Sequence, residues 1–126
     1  MILSIGIDII EVYRIRESLD RTARFAERVF TEAERQYCDA KGKGSDQSYA
    51  GRFAAKEAFM KALRSGWRGD LAWQEVEVVV DELGAPSLAV KGEAKKQMQA
   101  LGADRIHLSI SHTREYAIAQ VILEAS

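Results

Sequence analysis

The sequence predicts an α+β domain in which a mostly antiparallel sheet carries one long helix packed on it. Three observations lead there. The opening run Met1-Ile2-Leu3-Ser4-Ile5-Gly6-Ile7-Asp8-Ile9-Ile10 is β-branched and reads as a strand. The stretch from about Asp46 to Arg64 is small and apolar between its charges, the mark of a packed helix. Beyond it the hydrophobic period changes from 3.6 to 2, with Val76, Val78 and Val80 alternating with Glu75, Glu77 and Asp81.

The elements follow in order. A strand over about residues 2 to 9 runs into a short helix suggested by Ile10 to Leu19. Arg14, Arg21, Arg24 and Arg28 then crowd the chain, interleaved with Ile15, Leu19, Phe25 and Val29, the one strong local charge bias. Thr31-Glu32-Ala33-Glu34 has the spacing of a capping box and starts a helix through about Ala40. Lys41-Gly42-Lys43-Gly44-Ser45 reads as a surface loop, and Ser65-Gly66-Trp67-Arg68-Gly69 as the end of the long helix. Leu83-Gly84-Ala85-Pro86 turns the Val76–Val80 strand into a hairpin with residues 87 to 90. Gly92 to Leu101 is an amphipathic helix with Ala94, Met98 and Leu101 inward, and two last strands, 105 to 112 and 116 to 124, are joined by a tight turn.

At 126 residues the chain is expected to form one domain, residues 1–126, large enough for one core but small for a deep two-walled cleft, which favours a site completed by a second subunit. Hydrophobic residues at 47% and charged residues at 29% fit a soluble protein, and a net charge of −1 argues against a general nucleic-acid binder. The one cysteine, Cys38, excludes an intrachain disulfide and reads as a packing or surface thiol. Without a charged-then-apolar leader or a long apolar run, a cytoplasmic protein with no membrane association is expected.

Three places carry groups that suit chemistry. On the long helix Glu57 shares a face with Ala50, Phe53, Ala54 and Lys61, so its carboxylate leaves the backbone among groups that solvate it poorly. It needs a cation, a metal or a proton, or it simply forms an i,i+4 ion pair with Lys61. Asp8 is out of place in a buried strand. Either it ends the strand and caps the next helix, or it faces a ligand for which Gly6 leaves room. In Ile106-His107-Leu108-Ser109-Ile110-Ser111-His112-Thr113 the isoleucines and leucine take one face and His107, Ser109 and Ser111 the other, with His112 at the strand end free to enter a cleft.

Together these segments resemble the holo-acyl-carrier-protein synthases, the small class of 4′-phosphopantetheinyl transferases. The resemblance rests on Gly6-Ile7-Asp8, Arg24-Phe25-Ala26-Glu27-Arg28, Gly51-Arg52-Phe53-Ala54-Ala55-Lys56-Glu57-Ala58 and Leu108-Ser109-Ile110-Ser111-His112-Thr113, in the family's order and spacing and covering the chain nearly end to end. It implies a magnesium-dependent enzyme that transfers phosphopantetheine from coenzyme A to a serine of an apo-acyl carrier protein, releases adenosine 3′,5′-bisphosphate and supports fatty acid biosynthesis. Asp8 and Glu57 would hold the metal, since Mg²⁺ keeps several waters and takes further ligands from substrate phosphates. Lys61 would join them in catalysis and reach a phosphate as a point charge.

The same resemblance assigns Lys43, Arg52, Lys61, Ser109 and His112 to coenzyme A, with Ser109 and Ser111 as hydrogen-bond donors beside His112. It gives the arginine bias a purpose, with Arg14, Arg21, Arg24 and Arg28 meeting an acidic carrier around the apolar anchor Phe25. It also implies a homotrimer with sites between subunits. Ile10 stands where larger relatives have a second acid, and Glu11 is expected to leave by the other face, so the identity of the general base stays open. A magnesium-dependent hydrolase of nucleotides or coenzyme A, and a catalytically silent carrier-binding or trimeric structural protein, are the alternative readings. The first would not need the basic, Phe25-bearing segment, and intact Asp8, Glu57 and Lys61 argue against the second.

Overall fold

A computed structural model describes residues 1–64 and 72–126. Strand β1 (Ile2–Glu11) leads into helices α1 (Val12–Arg21), α2 (Ala23–Val29), α3 (Glu32–Asp39) and the long α4 (Ser45–Leu63). A 3₁₀ turn, Trp73–Glu75, then opens the hairpin β2 (Val76–Val80) and β3 (Pro86–Val90), followed by α5 (Gly92–Ala100), β4 (Arg105–His112) and β5 (Tyr116–Glu124). The strands form two antiparallel sheets, β1-β5-β4 and β2-β3, as the alternating segments required.

The capping box forms as the sequence predicts. Thr31 Oγ1 accepts from the Glu34 amide at 3.2 Å, and Glu34 Oε1 accepts from the Thr31 amide at 2.9 Å. The expected Lys41–Ser45 loop contains a short 3₁₀ turn, Gly42–Gly44, whose residues are all exposed. Helix α4 ends one residue earlier than expected. Arg64 itself takes the left-handed cap conformation (φ 66°), and its guanidinium donates to the Leu3 carbonyl at 3.0 Å. The Ser65–Gly69 stop signal lies outside the described residues. At the β2–β3 turn Asp81 Oδ1 accepts from the amides of Leu83 and Ala85, and Gly84 supplies the positive φ of 83°.

Helix α4 lies across the three-stranded sheet, and its small residues set how close it comes. Ala54, Ala58 and Ala62 are fully buried against β1 and β5, together with Ala119, Val121 and Leu123. A Cβ at Gly6 would collide with the Ala58 carbonyl oxygen and stand 2.7 Å from the Ala62 nitrogen. The room left by Gly6 is therefore filled by the backbone of α4 rather than by a ligand. Ser4, next along that face, donates to the Ala62 carbonyl at 2.6 Å. A second cluster, with Val12, Ile15, Val29, Phe30, Tyr49 and Ala117, ties α1, α2 and α3 to the first half of α4. Each large side chain buried there, Phe30 for example, contributes about 1.5–3 kcal/mol.

The other face of the β1-β5-β4 sheet is uncovered. Ile5, Ile7 and Ile9 are 55%, 52% and 62% exposed, and Ile118 and Tyr116 lie beside them. Among the described residues no helix is long and apolar enough to cross a membrane.

Candidate functional site

The charge that α4 buries completely is Lys56. It is fully buried, and its Nζ donates to Glu34 Oε1 at 2.8 Å and to the carbonyls of Trp73 and Val76 at 3.2 and 2.5 Å. Glu34 Oε2 accepts in turn from the Val78 amide at 2.8 Å. Burial pushes the Lys56 ammonium below the usual lysine range, while the Glu34 carboxylate opposes that shift. Within the signature segment, then, Lys56 fastens α4 to α3 and to β2. Its neighbour Glu57 faces the other way and is only half-buried.

Glu57 and Asp8 border one cleft of about 460 Å³, along with Ile9, Ile10, Glu11, Arg14, Phe53 and Tyr116. Asp8 does not cap α1, whose N-cap is Glu11. Instead Asp8 Oδ1 receives Lys61 Nζ at 2.9 Å, and the same ammonium donates to the Ile7 carbonyl at 3.2 Å. Asp8 projects from the helix-facing side of β1 because it keeps the parity of Ser4 and Gly6, so strand alternation and the contact at Gly6 together aim its carboxylate at the second half of α4. Glu11, expected to leave by the other face, borders the cleft as well. The strand gives way to α1 at that residue, and its carboxylate lies 3.1 Å from Arg14 Nε. Among the described residues no group of three or more His, Cys, Asp or Glu gathers into a metal-binding cluster.

A second cleft, of about 410 Å³, holds His112 and Arg52. Lys41, Ser48, Gly84 and Pro86 also line it. Arg52 is 6% exposed; its Nη1 donates to Ser48 Oγ at 3.1 Å, its guanidinium carbon lies 4.2 Å from the centre of the Tyr37 ring, and its Nε is buried without a partner. The lysine that lines this cleft is Lys41, whose ammonium sits 4.5 Å from the same ring; Lys43 is exposed on the 3₁₀ turn and is not part of the wall. Ser109 and Ser111 are not beside His112. His112 keeps the parity of Ile110, whereas the two serines lie on the uncovered face of the sheet with His107, which meets Glu124 at 2.8 Å. A two-residue period separates them within one chain, as the alternation of the strand requires, whereas the family resemblance had implied the serines as donors beside His112.

The basic segment divides in the same way. Arg21, Arg24, Phe25 and Arg28 line one groove of about 610 Å³, whereas Arg14 lines the cleft of Asp8 and Glu57. Between groove and cleft runs an aromatic row: Phe25 to Phe53 at 6.2 Å, then Phe53 stacked on Trp73 at 5.2 Å and 23°. Phe53 and Tyr116 border the candidate metal site, and the sequence reading gave neither a role. Phe53 stood inside the recognised motif, a signal that could have found it, whereas only the β1–β5 pairing brings Tyr116 there.

Known proteins agree with this architecture. The family model of the 4′-phosphopantetheinyl transferase superfamily matches residues 4–121. A holo-[acyl-carrier-protein] synthase of Koribacter versatilis is 48% identical over 125 residues, covering 98% of this chain and 99% of that protein. Among solved structures, the holo-(acyl-carrier-protein) synthase of Bacillus anthracis in complex with CoA (3′,5′-ADP) is 43% identical with a TM-score of 0.82, covering 100% of this chain and 99% of the other. The Helicobacter pylori synthase in complex with coenzyme A is 32% identical, again with a TM-score of 0.82, over 95% of this chain and 99% of the other. The chain belongs to the 4′-phosphopantetheinyl transferase superfamily, as an enzyme of its holo-[acyl-carrier-protein] synthase class.

Proposed function

We propose that this enzyme transfers the 4′-phosphopantetheine group of coenzyme A to a serine hydroxyl of an apo-acyl carrier protein, with Mg²⁺, and releases adenosine 3′,5′-bisphosphate. The observation that carries the reading is the convergence of Asp8 and Glu57, from a strand and a helix, on one cleft with Lys61 in contact with Asp8. Two carboxylate donors suit Mg²⁺, a hard cation that would take its remaining ligands from water and substrate phosphate. When bound there, the ion supplies charge neutralisation for a pyrophosphate under attack.

In the transfer, the serine hydroxyl gives up its proton to water, its oxygen forms a bond to the phosphorus that carries the pantetheine, and the bond from that phosphorus to the bridging oxygen breaks, leaving its electron pair on adenosine bisphosphate. Asp8 and Glu57 are the residues that would hold the metal, which would supply charge neutralisation at the pyrophosphate end. Lys61, 55% exposed along its side chain, exchanges its contact with Asp8 for a phosphate oxygen. Arg52, with Nε unsatisfied, and His112 bind the nucleotide end, and Lys41 joins them in place of Lys43. Coenzyme A complexes of two relatives support the substrate.

The Arg52–His112 cleft and the Asp8–Glu57 cleft share no lining residue in one chain. One coenzyme A molecule reaches both sets where one copy's Arg52 cleft faces another's carboxylates. The uncovered isoleucine stripe on the sheet supports a homotrimer that makes this juxtaposition, and it is an apolar surface of the kind that self-association buries. In such an assembly Ser109 of one copy faces its neighbour. The acidic carrier docks on the groove of Arg21, Arg24, Phe25 and Arg28, with Arg14 at the cleft guiding the serine in.

Intact-mass spectrometry of an apo-acyl carrier protein incubated with the enzyme, coenzyme A and Mg²⁺ tests the reaction. A gain of about 340 Da, lost on chelation, is expected for one transferred group. Adenosine bisphosphate released without any mass gain would replace the transferase by a hydrolase. Asp8→Ala and Glu57→Ala are each expected to abolish transfer in a folded oligomer.

A further inference from the structure

Helix α2 ends in an unusual way for a surface helix. The chain turns at Phe30 straight into α3, and the capping box of α3 consumes the amides that would have continued α2: the Thr31 amide goes to Glu34 Oε1 and the Glu34 amide to Thr31 Oγ1. The carbonyls four residues back, Glu27 and Phe30, are thereby deprived of their helical donors. Both are met by one side chain from a distant part of the sequence. Gln74 Nε2 donates to the Glu27 carbonyl at 2.5 Å and to the Phe30 carbonyl at 3.0 Å, spending both hydrogens of its amide on the end of α2.

The turn that carries Gln74 is itself fixed to α4. Trp73 stacks on Phe53, and the Trp73 carbonyl accepts from the buried Lys56 ammonium at 3.2 Å. A single short turn thus grips α2, which bears Arg24, Phe25 and Arg28, and α4, which bears Glu57.

We infer that Gln74 is a positioning residue for carrier recognition: by tying the orphan carbonyls of α2 to the Trp73–Glu75 turn, it fixes the carrier-docking arginines relative to the Asp8–Glu57 cleft. The inference rests on the docking reading given above. It follows from the lever arm involved. Val29, the fully buried Phe30 and the half-buried Phe25 and Ala26 seat α2 on the second core cluster, but these apolar contacts are non-directional, and its N-cap bond, from the Arg24 amide to Thr22 Oγ1, lies within its own segment. Without the Gln74 bonds the two carbonyls lose their side-chain donor, and a small rotation of the packed helix displaces its exposed arginines, and with them the carrier, without touching coenzyme A.

The test is steady-state kinetics of Gln74→Met, which keeps the length and removes both donors, beside Gln74→Asn, whose amide is too short for both carbonyls, and Gln74→Arg, which restores donors. With carrier varied at saturating coenzyme A, Gln74→Met and Gln74→Asn are expected to raise the carrier KM about five- to tenfold, while the coenzyme A KM stays within about twofold and Gln74→Arg recovers most of the loss. An unchanged carrier KM in both Gln74→Met and Gln74→Asn, or equal rises in both KM values, overturns the inference. Arg28→Ala is measured in parallel. If it raises the carrier KM while the Gln74 variants do not, the latch fails and the docking surface stands; if it too is silent, the docking reading fails and the latch with it.

Discussion

Replacing Lys56 by methionine is expected to strike stability first. Nζ satisfies three oxygens, one of them the carboxylate of Glu34, which is 1% exposed and cannot recover its lost charge partner from water. The variant leaves that carboxylate with only the amides of Thr31 and Val78, and the carbonyls of Trp73 and Val76 without this donor. Breaking one side of such a pair costs about 3–5 kcal/mol, a large part of the stability of a domain this size. Removing both charges, as in Glu34→Gln with Lys56→Met, costs less than the sum of the single changes by about 2 kcal/mol or more. Urea denaturation followed by circular dichroism, at one fixed protein concentration because assembly contributes to stability, measures all four corners of the cycle. Loss of transfer in a Lys56→Met protein that unfolds at the wild-type urea midpoint would refute this account, because the signature lysine would then act in the chemistry and not in the fold.

Three further outcomes follow from the geometry. Gly6→Ala drives a methyl into the backbone of α4, which must retreat by about 1 Å; a cost of about 1–3 kcal/mol is expected, with a larger loss of turnover than of carrier affinity, as Asp8 and Glu57 move apart. Wild-type turnover in that variant would show that the strand–helix spacing is not needed for the cleft. Lys61→Met should leave the unfolding midpoint nearly unchanged while slowing transfer about a hundredfold, since its ammonium is largely exposed and its contact with Asp8 contributes little to stability; equal effects on both would count against a role at phosphate. Finally, the Ser126 hydroxyl holds Asp104 below the usual carboxylate range, and the His107 hydrogen bond does the same for Glu124. Depressed carboxylates stabilise above their unfolded pKa values and lose that contribution as pH falls through the folded ones, so the Ser126 amide resonance should hold steady down to about pH 4 and shift only below it. An inflection above that value would contradict the hydrogen bond.

Local pattern made much of this protein legible. The Thr31–Glu34 capping box, the hairpin around Leu83–Pro86 and the alternation of β4 depend on interactions within a few residues, so their sequence signals survive into the structure nearly unaltered. Asp8, Glu57 and Lys61 stood out because their charges interrupt apolar segments, an anomaly that a sequence displays directly. The motifs that resemble the synthases named the family for the same reason, being short and contiguous.

Which charges meet was another matter. Both Lys56 and Lys61 lie on α4, yet the first is sealed against Glu34 and the second meets Asp8, because the approach of the helix to Gly6 and the docking of α3 give each face its own environment. Ser109 and His112, three residues apart, end on opposite faces of the sheet, and Lys41 rather than Lys43 lines the cleft of Arg52. Gln74 carried no signal at all, since its partners at Glu27 and Phe30 are backbone carbonyls 47 and 44 positions away along the chain. Sequence by itself determined the elements and the family, because those are written in local periodicity and contiguous motifs; only the tertiary structure decided the pairings of charges and carbonyls, because these depend on distances set by how helix, strand and turn pack together.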